Sequence, residues 1–179
     1  MKMLAKKNPE KVIDVLNERL AFERGGVKLY DKMIERVRAS NERAITKMLG
    51  QLTEHRDQEK EHEEWLEAQI RGLGGDANAS TDKSRLVETE SKGIEQVILG
   101  GQASLPQMFH ALLAAELVDN AGWDLLVELA DEAEDDEAKK AFKRRLHEEE
   151  EHLVFARKAV EKFAIREIIG APASMPTSP

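Results

Sequence analysis

Residues 59–66 read EKEHEEWL, and they place Glu59 and His62 three positions apart. A second pair of the same spacing, Glu149 and His152, lies further along the chain in the stretch HEEEEHLVF. Residues three apart lie on the same face of an α-helix, so the two side chains of each pair can reach a common point. Each stretch is therefore either a solvated acidic surface or half of a site that points into the protein.

Apolar residues recur at steps of three and four along four long segments, which predicts four amphipathic helices and an all-α fold. Ser40 or Asn41 is predicted to cap the second helix, and Ser104 the third. The fourth helix follows the acidic turn DEAEDDE. The helices are predicted to span about residues 9–37, 41–71 and 104–133, and from that turn to about residue 170.

The segment between the second and third helices is long enough to cross from one helical pair to the other. Residues 76–103 begin as a loop and contain one predicted short helix between Ser84 and Leu99. The layout is therefore two antiparallel helical hairpins joined by one long crossover, which is the architecture of a four-helix bundle. Residues 1–170 are predicted to form this single domain, and residues 171–179, APASMPTSP, a disordered tail.

Composition and charge exclude several classes of protein. The 179-residue chain has no cysteine, which excludes disulfides, zinc–thiolate sites and iron–sulfur clusters. Its net charge is −8 and no basic stripe stands out, which argues against nucleic acid as a partner. No apolar run approaches about 18 residues, and the N-terminus lacks the apolar segment of a signal peptide. We expect a soluble cytoplasmic protein with no membrane partner.

Glutamate and histidine replace apolar residues near the middle of each predicted helical stripe. Glu23 does so in the first helix and Glu116 in the third, while the second and fourth helices carry the two glutamate–histidine pairs. Glu23 precedes Glu59 by 36 residues and Glu116 precedes Glu149 by 33, so each hairpin repeats the same half-site. We therefore expect six ligand-type side chains at one level of the core: Glu23, Glu59, His62, Glu116, Glu149 and His152.

Carboxylates gathered at one level of an apolar core need compensating charge. Desolvation and mutual repulsion would otherwise raise their pKa values or unfold the protein. Two metal cations would resolve the conflict, and a ligand set of oxygen and imidazole without sulfur suits iron or manganese. The alternative interpretation is that these groups are surface residues of acidic helices.

With these residues in place, the chain from about residue 9 to 169 resembles the ferritin-like di-iron carboxylate superfamily, which includes bacterioferritins and rubrerythrins. The resemblance implies that the six residues bind two iron ions, with manganese as the alternative metal. It places Tyr30 beside the metals as a candidate catalytic residue. It also places Asp119, one turn after Glu116, where rubrerythrins carry an extra carboxylate ligand. The alternatives are that Tyr30 is a structural core residue and that Asp119 is a solvated carboxylate on the helix surface.

The resemblance further implies an enzyme that oxidises Fe(II) with dioxygen or hydrogen peroxide, as a ferroxidase or a rubrerythrin-like peroxidase. The alternatives are a protein that binds, stores or delivers iron without significant turnover, and a bundle without metal. Rubrerythrins typically add a rubredoxin-like module with four cysteines, so a peroxidase cycle here needs an external electron donor. Lys60 stands where bacterioferritins place a haem-binding methionine, and a proline-rich tail replaces the fifth helix of cage-forming ferritins. We expect no haem, and a homo-oligomer that is a dimer rather than a 24-subunit cage.

Three further residues near the stripes attract interest. His55, one turn before Glu59, either supports the ligands or is a hydrogen-bonded core histidine. Arg145, one turn before Glu149, either pairs with a ligand carboxylate or lies on the surface. Trp123 is predicted to pack in the core rather than to act as a redox group.

Overall fold

A computed structural model describes residues 1–170 together with Met175 and Pro176, and over these residues the fold is all-α, as predicted. A short 3₁₀ helix comes first and is followed by four long and three short α-helices. The 3₁₀ helix is Leu4–Lys6, and the α-helices are α1 Pro9–Arg38, α2 Arg43–Thr46, α3 Leu49–Gly72, α4 Asp82–Glu90, α5 Lys92–Leu99, α6 Leu105–Glu132 and α7 Asp136–Ile169.

The four long helices pack side by side in two antiparallel pairs. In the first pair, Tyr30 of α1 contacts His55 of α3, whereas Arg24 forms an ion pair with Glu67. In the second pair, α6 and α7 contact each other along their length in the same antiparallel sense. Because α1 also contacts α6 and α3 also contacts α7, the four helices enclose one core.

The second predicted helix begins one or two residues later than expected, at Arg43. The hydroxyl of Ser40 accepts a hydrogen bond from the backbone N–H of Glu42, which forms a local turn instead of a helix cap. Glu42 is therefore the residue that precedes α2, and its side chain makes no cap hydrogen bond. A turn at Lys47 and Met48 then separates the single turn of α2 from α3, where one continuous helix was predicted.

The crossover contains two helices where one was predicted. Thr81 caps α4 through reciprocal hydrogen bonds with Ser84, and Ser91 separates α4 from α5. α4 packs on α1, and α5 packs on α1 and α6, so the crossover covers the outside of these two helices. The predicted start of α6 at Ser104 is confirmed, since Ser104 is the residue before the helix and its backbone N–H donates a 2.8 Å hydrogen bond to the side-chain oxygen of Gln107.

The predicted tail, residues 171–179, lies outside the described residues except at two positions. Of these, Met175 is buried against the apolar core. Gly170 ends α7 in the left-handed conformation, with φ of 72°, which glycine adopts without strain. No helix of the described chain is both long and apolar enough to cross a membrane.

Two apolar clusters occupy the two ends of the core and leave a polar layer between them. One cluster includes Tyr30, Leu52 and Phe155, and the other includes Leu16 and Phe142. Along each long helix the two clusters are separated by ligand-type residues from the sequence analysis. The fold therefore supports a buried polar layer from both sides with packed hydrocarbon.

Candidate metal centre

All seven predicted metal-binding residues are buried in the polar layer. The six of the repeated half-sites and Asp119 are each no more than 2% exposed. The interpretation as a solvated acidic surface is therefore wrong for this set. Their neighbours on the same helices are exposed, as at Glu150 and Glu151, so the acidic runs are surfaces with a few inward positions.

The seven side chains form three overlapping groups whose ligand atoms lie within 4.8 Å of one another, and any of the three could hold a metal ion. Glu149 belongs to all three groups, and Glu23 and Glu59 each belong to two. The groups are Glu59, Glu116, Glu149 and His152; Glu23, His62 and Glu149; and Glu23, Glu59, Asp119 and Glu149.

Both histidines point the same ring nitrogen into the cluster. His62 Nδ1 lies 2.8 Å from one carboxylate oxygen of Glu149 and 3.4 Å from Glu23. His152 Nδ1 lies 3.1 Å from the other oxygen of Glu149 and 3.3 Å from Glu59. The two oxygens of Glu149 thus face one histidine each, and Glu149 lies between the two half-sites.

The outward nitrogens of the two histidines are held by residues that sequence reasoning missed. His62 Nε2 lies 2.8 Å from a carboxylate oxygen of Glu148, and His152 Nε2 lies 2.8 Å from the amide oxygen of Gln58. Such outer partners fix the orientation of a metal-binding imidazole. The sequence did contain one signal for these two partners, because Glu148 immediately precedes Glu149 and Gln58 immediately precedes Glu59.

Burial and crowding shift the pKa values of the clustered groups. Burial, together with the neighbouring carboxylates, raises the pKa of Glu59 well above its usual range. Burial raises the pKa of Glu116 to about 7. For His62 and His152, burial favours the neutral ring, but adjacent carboxylates outweigh it and raise the pKa values to about 12 and about 9. Without metal, protons supply the positive charge that this layer needs.

Many ligand atoms of the layer lack a hydrogen-bond partner within the described chain. Unpartnered buried polar atoms are rare in native proteins and call for a physical explanation. Here they converge on one region and consist of carboxylate oxygen and imidazole nitrogen, donors that iron and manganese accept, so these residues could hold a metal ion. The atoms are Glu23 Oε2, Glu59 Oε2, His62 Nδ1, Glu116 Oε2, Asp119 Oδ1, both Glu149 oxygens and His152 Nδ1.

Tyr30 and His55 border the cluster from the side of one apolar end. The Tyr30 hydroxyl donates a 2.6 Å hydrogen bond to Glu116 and lies 3.5 Å from His55 Nδ1. The His55 ring stacks on the ring of His152 with centroids 4.2 Å apart. Burial raises the pKa of Tyr30 well above 10.0, while burial and the charge of His152 lower the pKa of His55 to about 2. Tyr30 is thus a phenol that donates to a candidate ligand, and His55 is a neutral ring beside another.

Trp123 and Arg145 lie at the opposite end of the layer. Trp123 is a core residue, as predicted, and its Nε1–H donates a 2.9 Å hydrogen bond to Glu23. Arg145 fits neither of its two interpretations. It is buried, its guanidinium lies 3.7 Å from the centroid of the Trp65 ring, and it forms no ion pair with a candidate ligand within the described residues. It closes this end of the layer by stacking on the aromatic face.

Gly26 and Arg19 are two further residues that the sequence analysis missed. A Cβ atom at Gly26 would overlap the carboxylate of Glu59, so the absence of a side chain at Gly26 leaves room for that carboxylate. Arg19 is buried and its guanidinium lies within 3.4 Å of both Glu23 and Asp119. The layer therefore contains one permanent positive charge among its carboxylates.

No protein-family profile, curated protein or solved structure matches the chain.

Proposed function

We propose that the protein is a ferritin-like four-helix-bundle protein that binds two iron ions and oxidises Fe(II) with dioxygen or hydrogen peroxide, as a ferroxidase or a rubrerythrin-like peroxidase. The single observation that carries the proposal is the convergence of six buried carboxylate and imidazole side chains around Glu149. A di-iron site in such a bundle uses a glutamate from each of two helices and a Glu-x-x-His pair from each of the other two.

Each proposed iron position draws on one of the overlapping groups. One ion would be held by Glu116, His152 and Glu59, and the other by Glu23 and His62. Glu149 would help to hold both ions, because its two oxygens face the two histidines. Glu59 belongs to groups that contain residues of both half-sites, so it too would contribute to both. Manganese accepts the same ligands and is the alternative metal.

Oxidation of two bound Fe(II) ions would supply two electrons, which with two protons reduce dioxygen to hydrogen peroxide or hydrogen peroxide to water. The residues of the chain orient the ligands and exclude bulk water. The Tyr30 hydroxyl donates a hydrogen bond to one oxygen of Glu116 and keeps its own proton. Both properties support a role in positioning Glu116, and a redox role is a separate hypothesis that needs its own experiment. His55 packs against both Tyr30 and His152, which also contact each other, so the three rings restrict one another's orientation.

The proposal includes the partners expected from the sequence. A peroxidase cycle would take electrons from an external donor, because the chain has no cysteine with which to bind its own rubredoxin-type iron. Assembly as a homo-oligomer, a dimer rather than a 24-subunit cage, is part of the proposal, and light scattering coupled to gel filtration distinguishes the two. A cytoplasmic location is also part of the proposal.

The test compares Glu149→Gln with Glu150→Gln. Both changes remove one carboxylate from adjacent positions of α7, but Glu149 is buried among the ligands and the Glu150 side chain is 59% exposed. We expect about two iron ions per chain in the wild type and in Glu150→Gln by elemental analysis, and a clear loss in Glu149→Gln. Aerobic addition of Fe(II), followed by the absorbance of Fe(III), should show oxidation above the buffer rate only in the two proteins that bind iron.

The outcomes separate the candidate functions. Stoichiometric iron with oxidation no faster than in buffer would establish the alternative, a protein that binds, stores or delivers iron without significant turnover. Equal metal content in Glu149→Gln and Glu150→Gln would refute the di-iron site altogether. Circular dichroism of each variant checks that the helical fold is intact.

A further inference from the structure

Arg19 contacts the carboxylate layer at three points. Its Nη2 lies 3.2 Å from Asp119 Oδ1, its Nη1 donates a 3.3 Å hydrogen bond to the backbone carbonyl of the same residue, and its Nε lies 3.4 Å from Glu23 Oε1. Both contacts to Asp119 come from one planar group, so the guanidinium fixes the side chain and the backbone of that residue together.

The surroundings of Arg19 are built to accommodate a buried guanidinium. A Cβ atom at Gly122 would overlap the end of the Arg19 side chain, so only glycine leaves room for it on α6. The ring of Phe22 covers the other side, with its centroid 4.5 Å from the guanidinium carbon. Burial of an arginine is costly unless it is paired, and here the pairing partners are two carboxylates of the candidate metal centre.

The formal charges of the layer explain why a fifth carboxylate is present. Glu23, Glu59, Glu116, Glu149 and Asp119 carry five negative charges when ionised. Two divalent ions supply four positive charges and Arg19 supplies the fifth, with both histidines neutral as ligands. The buried layer is then neutral, which is the state that a low-dielectric interior favours.

We propose that Arg19 is a resident cation of the centre, which engages Asp119 and thereby makes the layer neutral when two divalent ions are bound. The inference rests on the proposed metal centre. In this role Asp119 is the counter-ion of Arg19 and not a metal ligand. The competing role is direct ligation, since the carboxylate of Asp119 also lies within reach of the group formed with Glu23, Glu59 and Glu149.

The two roles differ in what a second mutation does. If Asp119 acts through Arg19, removing Asp119 alone leaves an excess positive charge that weakens metal binding, and removing Arg19 as well restores the balance. If Asp119 is a ligand, the variant that lacks both residues has still lost that ligand, so its metal binding stays clearly weaker than that of the wild type. Charge effects of this kind, over a few ångströms in a buried site, are large enough to measure.

The experiment is a double-mutant cycle read by calorimetric titration of the metal-free protein with Mn(II), which is stable in air. We expect Arg19→Met to tighten binding and Asp119→Asn to weaken it, each by about tenfold or more. The combined Arg19→Met, Asp119→Asn protein should return to within about threefold of the wild type. Arg19→Lys, which keeps the charge, should lie closer to the wild type than Arg19→Met does.

Each result decides a separate point. Failure of the wild type to bind Mn(II) and Fe(II) would overturn the proposed metal centre itself. Binding by the wild type, with the double variant as weak as Asp119→Asn, would overturn the resident-cation role and make Asp119 a ligand. If Arg19→Met alone fails to fold, Asp119→Asn and the double variant, which leaves no unpaired ion at these two positions, carry the same comparison against the wild type.

Discussion

His62 and Glu148 lie 2.8 Å apart, through the imidazole Nε2 and a carboxylate oxygen. The equivalent contact in the other half of the layer joins His152 to the neutral amide of Gln58 at the same distance. Glu148 precedes Glu149 in the chain, and Gln58 precedes Glu59, so each half-site orients the histidine of the other. The two outer partners occupy equivalent positions, but Glu148 is a carboxylate and Gln58 is a neutral amide. The two candidate metal positions therefore differ in their local charge.

Exchanging these outer partners should change the two metal positions in opposite directions. A carboxylate partner makes an imidazole a stronger ligand than an amide does, and loss of such a partner typically weakens metal binding tenfold to a hundredfold. We expect Glu148→Gln to weaken one of the two binding steps by about tenfold, and Gln58→Glu to strengthen the other. Calorimetric titration with Mn(II) resolves the steps.

Glu150→Gln is the control for Glu148→Gln, because it removes one negative charge from an exposed position nearby on α7. An equal effect of these two variants would show that general charge, and not the contact with His62, controls the affinity.

Two adjacent glycines of α1 provide a matched pair of variants. A Cβ atom at Gly26 would overlap the carboxylate of Glu59, whereas one at Gly25 would meet no atom within 4 Å. Alanine is favoured over glycine in a helix by about 0.5–1 kcal/mol, so Gly25→Ala should raise the free energy of unfolding by that amount. Gly26→Ala should displace Glu59 and weaken Mn(II) binding by about tenfold or more.

The measurements are urea denaturation and metal titration of both variants. Gly25→Ala serves as the control for helix propensity, and its metal affinity should equal that of the wild type. The steric role of Gly26 would be disproved by equal metal affinity in the two alanine variants.

The four long helices and the buried set of carboxylates and histidines follow from patterns that a single sequence contains. Apolar spacing predicts α1, α3, α6 and α7, because each must bury one continuous face. Glu23 and Glu116 stand out because a charged residue at a core position of such a stripe is costly unless it is compensated. Both residues are buried, which confirms that their side chains face the core.

The remaining features depend on contacts between helices that no local pattern encodes. Arg19 lies outside the apolar stripe of α1, and its place is created by Gly122, 103 positions away in the chain. Glu148 looks like one more residue of an acidic surface until the fold brings His62 against it. The late start of α2 accompanies a local hydrogen bond in which the Ser40 hydroxyl accepts from the backbone N–H of Glu42 instead of capping the helix.

Asp135 joins the beginning of α7 to the N-terminal segment. One of its oxygens accepts a hydrogen bond from the backbone N–H of Ala138, and the other accepts from Met3 and Leu4 and lies 2.8 Å from the amino group of Met1. Burial alone would raise the pKa of Asp135, but these contacts to the ionised form outweigh it and lower the pKa to about 2.

Asp135→Ala should lower the free energy of unfolding at neutral pH by about 1–2 kcal/mol, the usual cost of losing a helix cap. The contribution is present above the ordinary pKa of 3.8 and is lost as the pH falls towards 2, because the unfolded chain then binds the proton first. Urea denaturation at pH 7 and pH 2.5 measures both points. Asp136→Ala, at the exposed next residue, is the control, and an equal loss in both variants would contradict the capping role.

Bound metal should oppose the pH dependence that the stability of the metal-free protein shows. In the metal-free protein the pKa of Glu116 is raised from 4.5 to about 7, so folding favours its protonated form and stability falls as the pH rises through that range. The pKa of His152 is raised from 6.5 to about 9, so its contribution is complete below pH 6.5 and is lost by pH 9. His55, whose pKa is lowered from 6.5 to about 2, contributes in the opposite direction, but that contribution is complete above pH 6.5. In the presence of a chelator the melting temperature should therefore fall from about pH 6.5 to pH 9.

Metal ions should take the place of those protons, because ligation requires ionised carboxylates and neutral imidazoles. We therefore expect Mn(II) binding to release protons, and the Mn(II)-bound protein to gain stability relative to the metal-free protein as the pH rises from 5 to 9. Thermal melts at pH 5, 7 and 9 with chelator or Mn(II) measure the two slopes. Calorimetric titration in two buffers of different ionisation enthalpy counts the protons. If the melting temperature of the metal-free protein does not change over this range, the pKa values of the buried carboxyl and histidine groups are not raised as their contacts predict.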